Sequence, residues 1–245
     1  MKLNFLGRGS CFANDHASAY FKTHDNDFVL IDCSEHSYQR LKNEFDLSTF
    51  NNIYVYITHT HGDHISGLDQ LIHYLYFALN KYVVVIAPSS EVMIDIQTLL
   101  RIEGVEDFQY TLTSTFDLIT SLIKKYDVTI PKEVFAVSIP TIHTPALAGK
   151  SFGYQFTIDN INIVYTGDTA TLEPFIPFLK NNAELYVDTS VLYKSDVHLW
   201  LYDMLPTLIE LTQKNVSVFL MHLDDVLKAE SIVECIPGIN VVSIV

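Results

Sequence analysis

Ile53-Tyr54-Val55-Tyr56-Ile57-Thr58-His59-Thr60-His61-Gly62-Asp63-His64 places three imidazoles and a carboxylate within six residues, directly behind an apolar run. The run from Ile53 to Ile57 is β-branched and aromatic, which predicts a buried strand. Gly62 gives the chain freedom to turn where that strand ends. Side chains on an extended segment repeat every second residue, so His59 and His61 face one side. The turn carries Asp63 and His64 round to a second position. Imidazoles and carboxylates grouped in this way are metal ligands, so one short motif offers ligands to two ions.

A chain of 245 residues can bury a substantial core, and residues 1–245 read as a single domain, without repeat, low-complexity tract or Gly/Ser linker. No stretch approaches the ~18 apolar residues of a membrane span, and Lys2 to Gly7 reads as a strand, not as the core of a signal peptide. These features predict a cytoplasmic protein without a membrane partner. Cys11, Cys33 and Cys235 are scattered and odd in number, unlike a disulfide framework. Lys and Arg number 15 against 29 Asp and Glu, a formal net charge of -14, and no basic run exceeds Lys124-Lys125. Long nucleic acids are bound through clustered Lys and Arg on phosphates, so the expected partner is a small molecule. The 15 Phe and 14 Tyr exceed what the core of one subunit obviously needs, which points to a homo-oligomer, most simply a dimer.

Strands are predicted at Lys2–Leu6, Ser18–Lys22, Phe28–Asp32 and Tyr82–Ala87, and again at Val134–Ile139, Phe152–Ile158, Ile161–Thr166, Leu185–Asp188 and Val216–Met221. Helices are predicted over Glu35–Lys42 behind a Ser34 cap, over Ser66–Asn80, from Ser89 or Ser90 to Arg101, from Thr171 to Lys180, and over Asp196–Lys214. Phe116 to Tyr126 also carries apolar residues at helical spacing. The alternation is that of an α/β protein.

The motif resembles the signature of the metallo-β-lactamase superfamily, and the resemblance continues along nearly all of the chain. His143 in Thr141-Ile142-His143-Thr144-Pro145, Asp168 in Tyr165-Thr166-Gly167-Asp168-Thr169 and His222 in Phe219-Leu220-Met221-His222-Leu223 stand where that family places its later ligands. The resemblance implies a four-layer αββα sandwich with the site at one edge of its two sheets. It implies two divalent ions, one held by His59, His61 and His143, the other by Asp63, His64 and His222, with Asp168 bridging them. Ligands of this type suit zinc, with manganese or iron as alternatives. It also implies hydrolysis, since paired ions activate water and stabilise attacking and leaving oxygens, with Asp63 orienting that water.

Gly67-Leu68-Asp69-Gln70-Leu71 and Ser151-Phe152-Gly153-Tyr154 are similar to the ribonuclease Z-like branch. In that branch a His at a helix start protonates the leaving alkoxide, and His198 in Ser195-Asp196-Val197-His198-Leu199-Trp200 is the counterpart. Two departures matter. Only 24 residues separate His143 from Asp168, too few for an arm that grips tRNA, and Val187-Asp188-Thr189-Ser190 replaces the usual His-Glu-Ala-Thr and its relay Glu. The chain is most similar to the short cyclic-nucleotide phosphodiesterases, anti-Pycsar enzymes of phages among them, which implies a small phosphodiester substrate such as a 3′,5′-cyclic nucleotide. Phe12, Tyr154, Tyr193 and Trp200 are candidates to stack on a base. The alternative is an acyl hydrolase, lactonase or β-lactamase in type, with Tyr193 or Lys194 as oxyanion donor. A tRNA-processing endonuclease and a non-catalytic metal-bound scaffold fit less well.

Overall fold

A computed structural model of the chain describes residues 1–118 and 130–244. Two six-stranded sheets form its centre. In the first, β1 (Asn4–Gly7), β2 (Ser18–Lys22), β3 (Phe28–Ile31), β4 (Ile53–Tyr56), β5 (Val83–Ala87) and β6 (Tyr110–Ser114) lie side by side in sequence order. The second repeats that order with β7 (Ala136–Pro140), β8 (Phe152–Ile158), β9 (Ile161–Tyr165), β10 (Glu184–Asp188), β11 (Ser217–Met221) and β12 (Ile239–Val241). In both sheets the first three strands pair antiparallel and the remaining pairings are parallel. The repeat is one of connectivity and not of residues, so the sequence does not display it.

Helices α1 (Glu35–Glu44), α3 (Leu68–His73) and α4 (Ser90–Ile102) pack their apolar faces on the outside of the first sheet, where Leu41, Leu71 and Ile96 join Leu30, Val55 and Val85. Helices α5 (Leu201–Gln213) and α6 (Val226–Val233) do the same for the second sheet through Leu208, Leu211 and Ala229. A third apolar layer fills the space between the sheets, completing the αββα sandwich. Much of the aromatic content lies in that middle layer: Phe5, Tyr54, Tyr56, Tyr154, Phe156, Tyr165 and Tyr186 are all buried there. Three of the buried hydroxyls have acceptors, and a buried polar group left unmade costs about 1–3 kcal/mol. Tyr154 donates to the Ile57 carbonyl at 2.6 Å, Tyr186 to Glu184 at 2.6 Å, and Tyr56 to the Val134 carbonyl. A second aromatic group, Tyr76, Phe77, Tyr82 and Phe108, clusters at the surface.

Several elements differ from expectation for identifiable reasons. The helix expected over Ser66–Asn80 is divided: α2 (Gly62–Ile65) precedes α3, which passes at His73 into a π-helical turn over Tyr74–Ala78. Pro174 and Pro177 withhold backbone donors, so the helix expected up to Lys180 is a 3₁₀ segment, Glu173–Phe178. Helix α5 begins at Leu201, because Ser190 and Trp200 pair as a β-bridge and draw residues 190–200 into a loop. His198 therefore sits on that loop and not on a helix. Strands β6 and β12 and helix α6 were not expected at all. The spacing noted over Phe116–Tyr126 falls mostly outside the described residues. No helix among the described residues is long and apolar enough to cross a membrane.

Glycine matters where backbones meet, and Gly62 is not such a place. Nothing lies within 4 Å of where its Cβ would stand, and its φ is not positive, so the start of α2 turns the chain without need of glycine. Gly167 does need it, with φ at +59 and the Phe152 carbonyl 2.5 Å from a Cβ. At Gly153 a Cβ would meet the carbonyls of both Tyr165 and Thr166 at 2.5 Å. Gly153→Ala should therefore cost about 1–3 kcal/mol in urea unfolding, the range of an overpacked core. Gly62→Ala should leave the unfolding midpoint close to wild type, and equal losses at the two sites would refute this account of the crowding.

Candidate metal centre

Strand ends bring the predicted residues together at one edge of the sandwich. His59, His61, Asp63 and His64 follow β4, His143 follows β7, Asp168 follows β9 and His222 follows β11. All seven fall into two groups that share Asp168, each with ligand atoms within 4.8 Å of one another. In the first, His61 Nδ1 lies 3.1 Å from His59 Nε2 and 3.2 Å from His143 Nε2, while Asp168 Oδ2 is 3.8 and 3.6 Å from those two Nε2 atoms. In the second, Asp63 Oδ2 lies 3.3 Å from both His64 Nε2 and His222 Nε2, and Asp168 Oδ1 is 3.4 and 3.5 Å from the same nitrogens. A tetrahedron with metal–nitrogen bonds of ~2.0–2.1 Å has edges of about 3.3 Å, so both groups have the size of a metal coordination shell.

The outer hydrogen bonds determine which ring nitrogen is free. Thr58 Oγ1 donates its one hydrogen to Asp32 at 2.9 Å, so it must accept from His59 Nδ1 at 3.0 Å. His64 Nδ1 donates to Asp32 at 2.8 Å, His222 Nδ1 to Asp188 at 3.1 Å, and His143 Nδ1 to the Val197 carbonyl at 3.0 Å. Four Nε2 lone pairs consequently converge on the two groups. Ring nitrogens held from behind by carboxylates and carbonyls are the usual outer support of metal-binding histidines. His64 Nε2 and Asp168 Oδ1 are buried with no hydrogen-bond partner, and both are donor atoms that a cation would take.

Electrostatics points the same way. Burial holds His59 and His61 below the ordinary imidazole range, keeping them neutral and able to donate lone pairs. Burial opposes charge on His64 and His222 too, but Asp168 with Asp32 around the first, and Asp168 with Asp188 and Asp63 around the second, outweigh it and raise both. Burial also opposes ionisation of Asp63 and Asp168, yet the neighbouring imidazoles hold both carboxyls below the usual range. The pocket thus demands positive charge, which protons or metal ions can supply, and metal binding displaces the protons. The donor set of imidazole and carboxylate fits divalent metal.

Asp32 and Asp188 are the residues that motif reading passes over. Asp32 follows β3 with φ at 62, and from there one buried carboxylate orients His64 directly and His59 through Thr58. Its only sequence signal is a carboxylate at the end of an apolar strand. Asp188 was read as the loss of a relay Glu, yet its carboxylate bonds His222 with one oxygen and His198 Nδ1 with the other, at 2.9 Å, so the position keeps an acid beside the histidine. Burial lowers the His198 pKa, but Asp188 and Asp168 outweigh it and raise the ring above its ordinary value. His198 lies 5.1 Å, ring to ring, from both His143 and His222, and lines the cavity in front of the cluster. His222 itself sits at φ 55, a left-handed conformation uncommon for non-glycine residues. Asp32→Ala should lower affinity for metal about 10–100-fold in a chelator competition, with the fold intact by circular dichroism. Unchanged affinity would remove Asp32 from the support of the centre.

The family model for anti-Pycsar protein Apyc1 matches residues 1–234. The Apyc1 of Bacillus phage BSP38 is 25% identical over 235 residues, 91% of this chain and 89% of that protein. A ribonuclease Z from Methanococcus maripaludis is 31% identical over 152 residues, 60% of this chain and 47% of the enzyme, so the match spans about half of that relative's length. Among solved structures, the metallo-β-lactamase fold protein YhfI from Bacillus subtilis superposes with a TM-score of 0.71 at 16% identity, over 98% of this chain and 95% of that one. The short form of human tRNase Z superposes with a TM-score of 0.63 at 16% identity, over 91% and 93% of the two chains. These structural likenesses establish the metallo-β-lactamase fold, and the match over residues 1–234 places the chain in the anti-Pycsar Apyc1 family.

Proposed function

We propose that the chain is a phosphodiesterase for a small phosphodiester, first of all a 3′,5′-cyclic nucleotide. His59, His61 and His143 would hold one divalent ion, Asp63, His64 and His222 the other, and Asp168 both, with zinc the best match to these donors and manganese or iron the alternatives. When bound, the pair of ions supplies activated water and charge stabilisation at phosphorus. The observation that carries the reading is His198. Its Nδ1 is held by Asp188, which leaves Nε2 as the donor on a ring that lines the cavity beside His143 and His222. Opening a phosphodiester expels an alkoxide, which needs a proton, and a positioned acid of this kind contributes about 10²–10⁴ in rate. Asp63, in the cavity wall, orients the attacking water.

The cavity favours one phosphate over many. Its described lining contains no Lys or Arg and includes the Asp224 carboxylate, which would repel a second phosphate near it. The formal net charge of -14 likewise disfavours a long nucleic acid. The acyl-hydrolase alternative draws on Tyr193, which lines the cavity as an oxyanion donor would. Lys194 offers less, since it pairs with Asp203 and is absent from the lining.

Activity should be tested on metal-loaded protein with cyclic nucleotides, bis-p-nitrophenyl phosphate, a β-lactam and a homoserine lactone. The expected substrates are the phosphodiesters, and His198→Ala should retain the metals while losing about 10²–10⁴ in kcat on the alkoxide-releasing cyclic nucleotide. The same variant should lose far less on the p-nitrophenyl ester, whose leaving group departs without a proton. Equal losses on the two would exclude the acid role of His198. Turnover of lactone or β-lactam with no phosphodiester cleaved would put the acyl hydrolase in its place.

A further inference from the structure

Two aromatic rings stand in the wall of the cavity with most of their surface open. The cavity measures about 510 Å³, within the range of small-molecule sites, and Phe12 and Tyr193 line it while remaining 93% and 71% exposed. Of the other aromatic candidates, Tyr154 is buried between the sheets with its hydroxyl on Ile57, and Trp200 packs against Tyr202 at 5.3 Å. Neither of those two lines the cavity.

The loops that carry Phe12 and Tyr193 are fastened to one point. The Leu223 carbonyl accepts from Ser10 N at 2.9 Å, and Leu223 N donates to the Arg8 carbonyl at 2.8 Å, which pins the loop before Phe12. The Asp224 carboxylate accepts from Val191 N at 2.8 Å, Leu192 N at 2.9 Å, Tyr193 N at 3.2 Å and Ser190 Oγ at 2.7 Å, which pins the loop of Tyr193. Leu223 and Asp224 directly follow His222. One three-residue turn therefore sets a member of the metal cluster and both rings relative to each other. Exposed apolar rings on loops held this firmly give up little conformational freedom on binding a ligand.

The same wall holds unused polar capacity. Ser10 Oγ and Thr144 Oγ1 are buried, lack hydrogen-bond partners and line the cavity. Such groups are satisfied by a ligand that brings hydroxyls or phosphate oxygens to them. A ligand meeting the whole wall has a phosphodiester at the cluster, polar sugar oxygens for the two hydroxyls, and a flat apolar ring for the aromatics.

We infer that Phe12 and Tyr193 form the binding site for the nucleobase of the substrate, with Asp224 as the positioning residue for Tyr193. This rests on the phosphodiesterase reading above and adds the residues that recognise the base. Aromatic side chains bind bases through their π-faces, worth roughly tenfold in affinity or more per ring. The test compares steady-state kinetics of the metal-loaded protein on a 3′,5′-cyclic nucleotide and on the same cyclic sugar phosphate lacking its base. Wild type should show a KM roughly tenfold or more lower for the nucleotide. Phe12→Ala and Tyr193→Ala should each bring the two KM values towards one another, whereas Phe12→Trp and Tyr193→Phe should keep the gap. Asp224→Asn turns an amide NH₂ towards backbone donors and should narrow the gap with both rings present. Equal KM values for the two substrates in wild type, or an undiminished gap in both alanine variants, would overturn the base site and leave the phosphodiesterase reading standing. A wild type that cleaves neither substrate would remove that reading and the base site with it.

Discussion

A carboxylate is expensive to bury without a positive partner, and four of them, Asp32, Asp63, Asp168 and Asp188, lie buried at one edge of this sandwich. Asp32, Asp168 and Asp188 are almost wholly shielded from solvent, and each is surrounded by imidazoles. The arrangement is sustainable only if the rings present protons or bound cations to the carboxylates. Asp32 and Asp188 receive Nδ1–H groups from His64 and from His222 and His198. Asp168 Oδ1 is buried and has no hydrogen-bond partner. The centre is therefore built in two rings of contacts, with outer carboxylates, Asp32 and Asp188, that fix the imidazoles and inner ones, Asp63 and Asp168, that are left for metal.

The fold explains how so many strand ends meet there. Two sheets of the same connectivity face each other, and β3, β4, β9, β10 and β11 all finish at the edge that carries the cluster. Asp32 comes from the end of β3 in one half, while Asp168, Asp188 and His222 come from β9, β10 and β11 in the other. Rigid strands position these groups with more precision than loops can. The loops supply His198, Phe12 and Tyr193, and they are themselves tied back to Asp188, Leu223 and Asp224. Strand ends thus carry the ligand candidates, and the turn after β11 ties the loops of Phe12 and Tyr193 to His222.

His59, His61, Asp63 and His64 were legible as a cluster of metal-binding residue types behind an apolar strand, and His143, Asp168 and His222 through the family resemblance, each just past a strand. The class of fold was legible from strands of buried character alternating with capped helices. Ser34 and Ser89 do cap α1 and α4. Asp32 was not legible, since a single carboxylate after a strand reads as an ordinary turn former until the partner 32 residues away is seen. Asp188 was misleading, because comparison of short motifs weighs residue identity while the site requires only a carboxylate in reach of two histidines. The start of α5 was placed too early because apolar spacing runs on through residues 196–200, where pairing of Ser190 with Trp200 prevails over helical preference. The glycine at position 62 was credited with a turn that α2 makes without it.

Two metals straddling one carboxylate is the claim on which the rest depends, and diffraction can address it directly. Crystals grown with zinc or manganese should be measured on either side of the metal's absorption edge. The account predicts two anomalous peaks per chain, one among His59, His61 and His143, the other among Asp63, His64 and His222, with the Asp168 carboxylate between them. A single peak, or peaks that leave Asp168 without a metal contact, would contradict it.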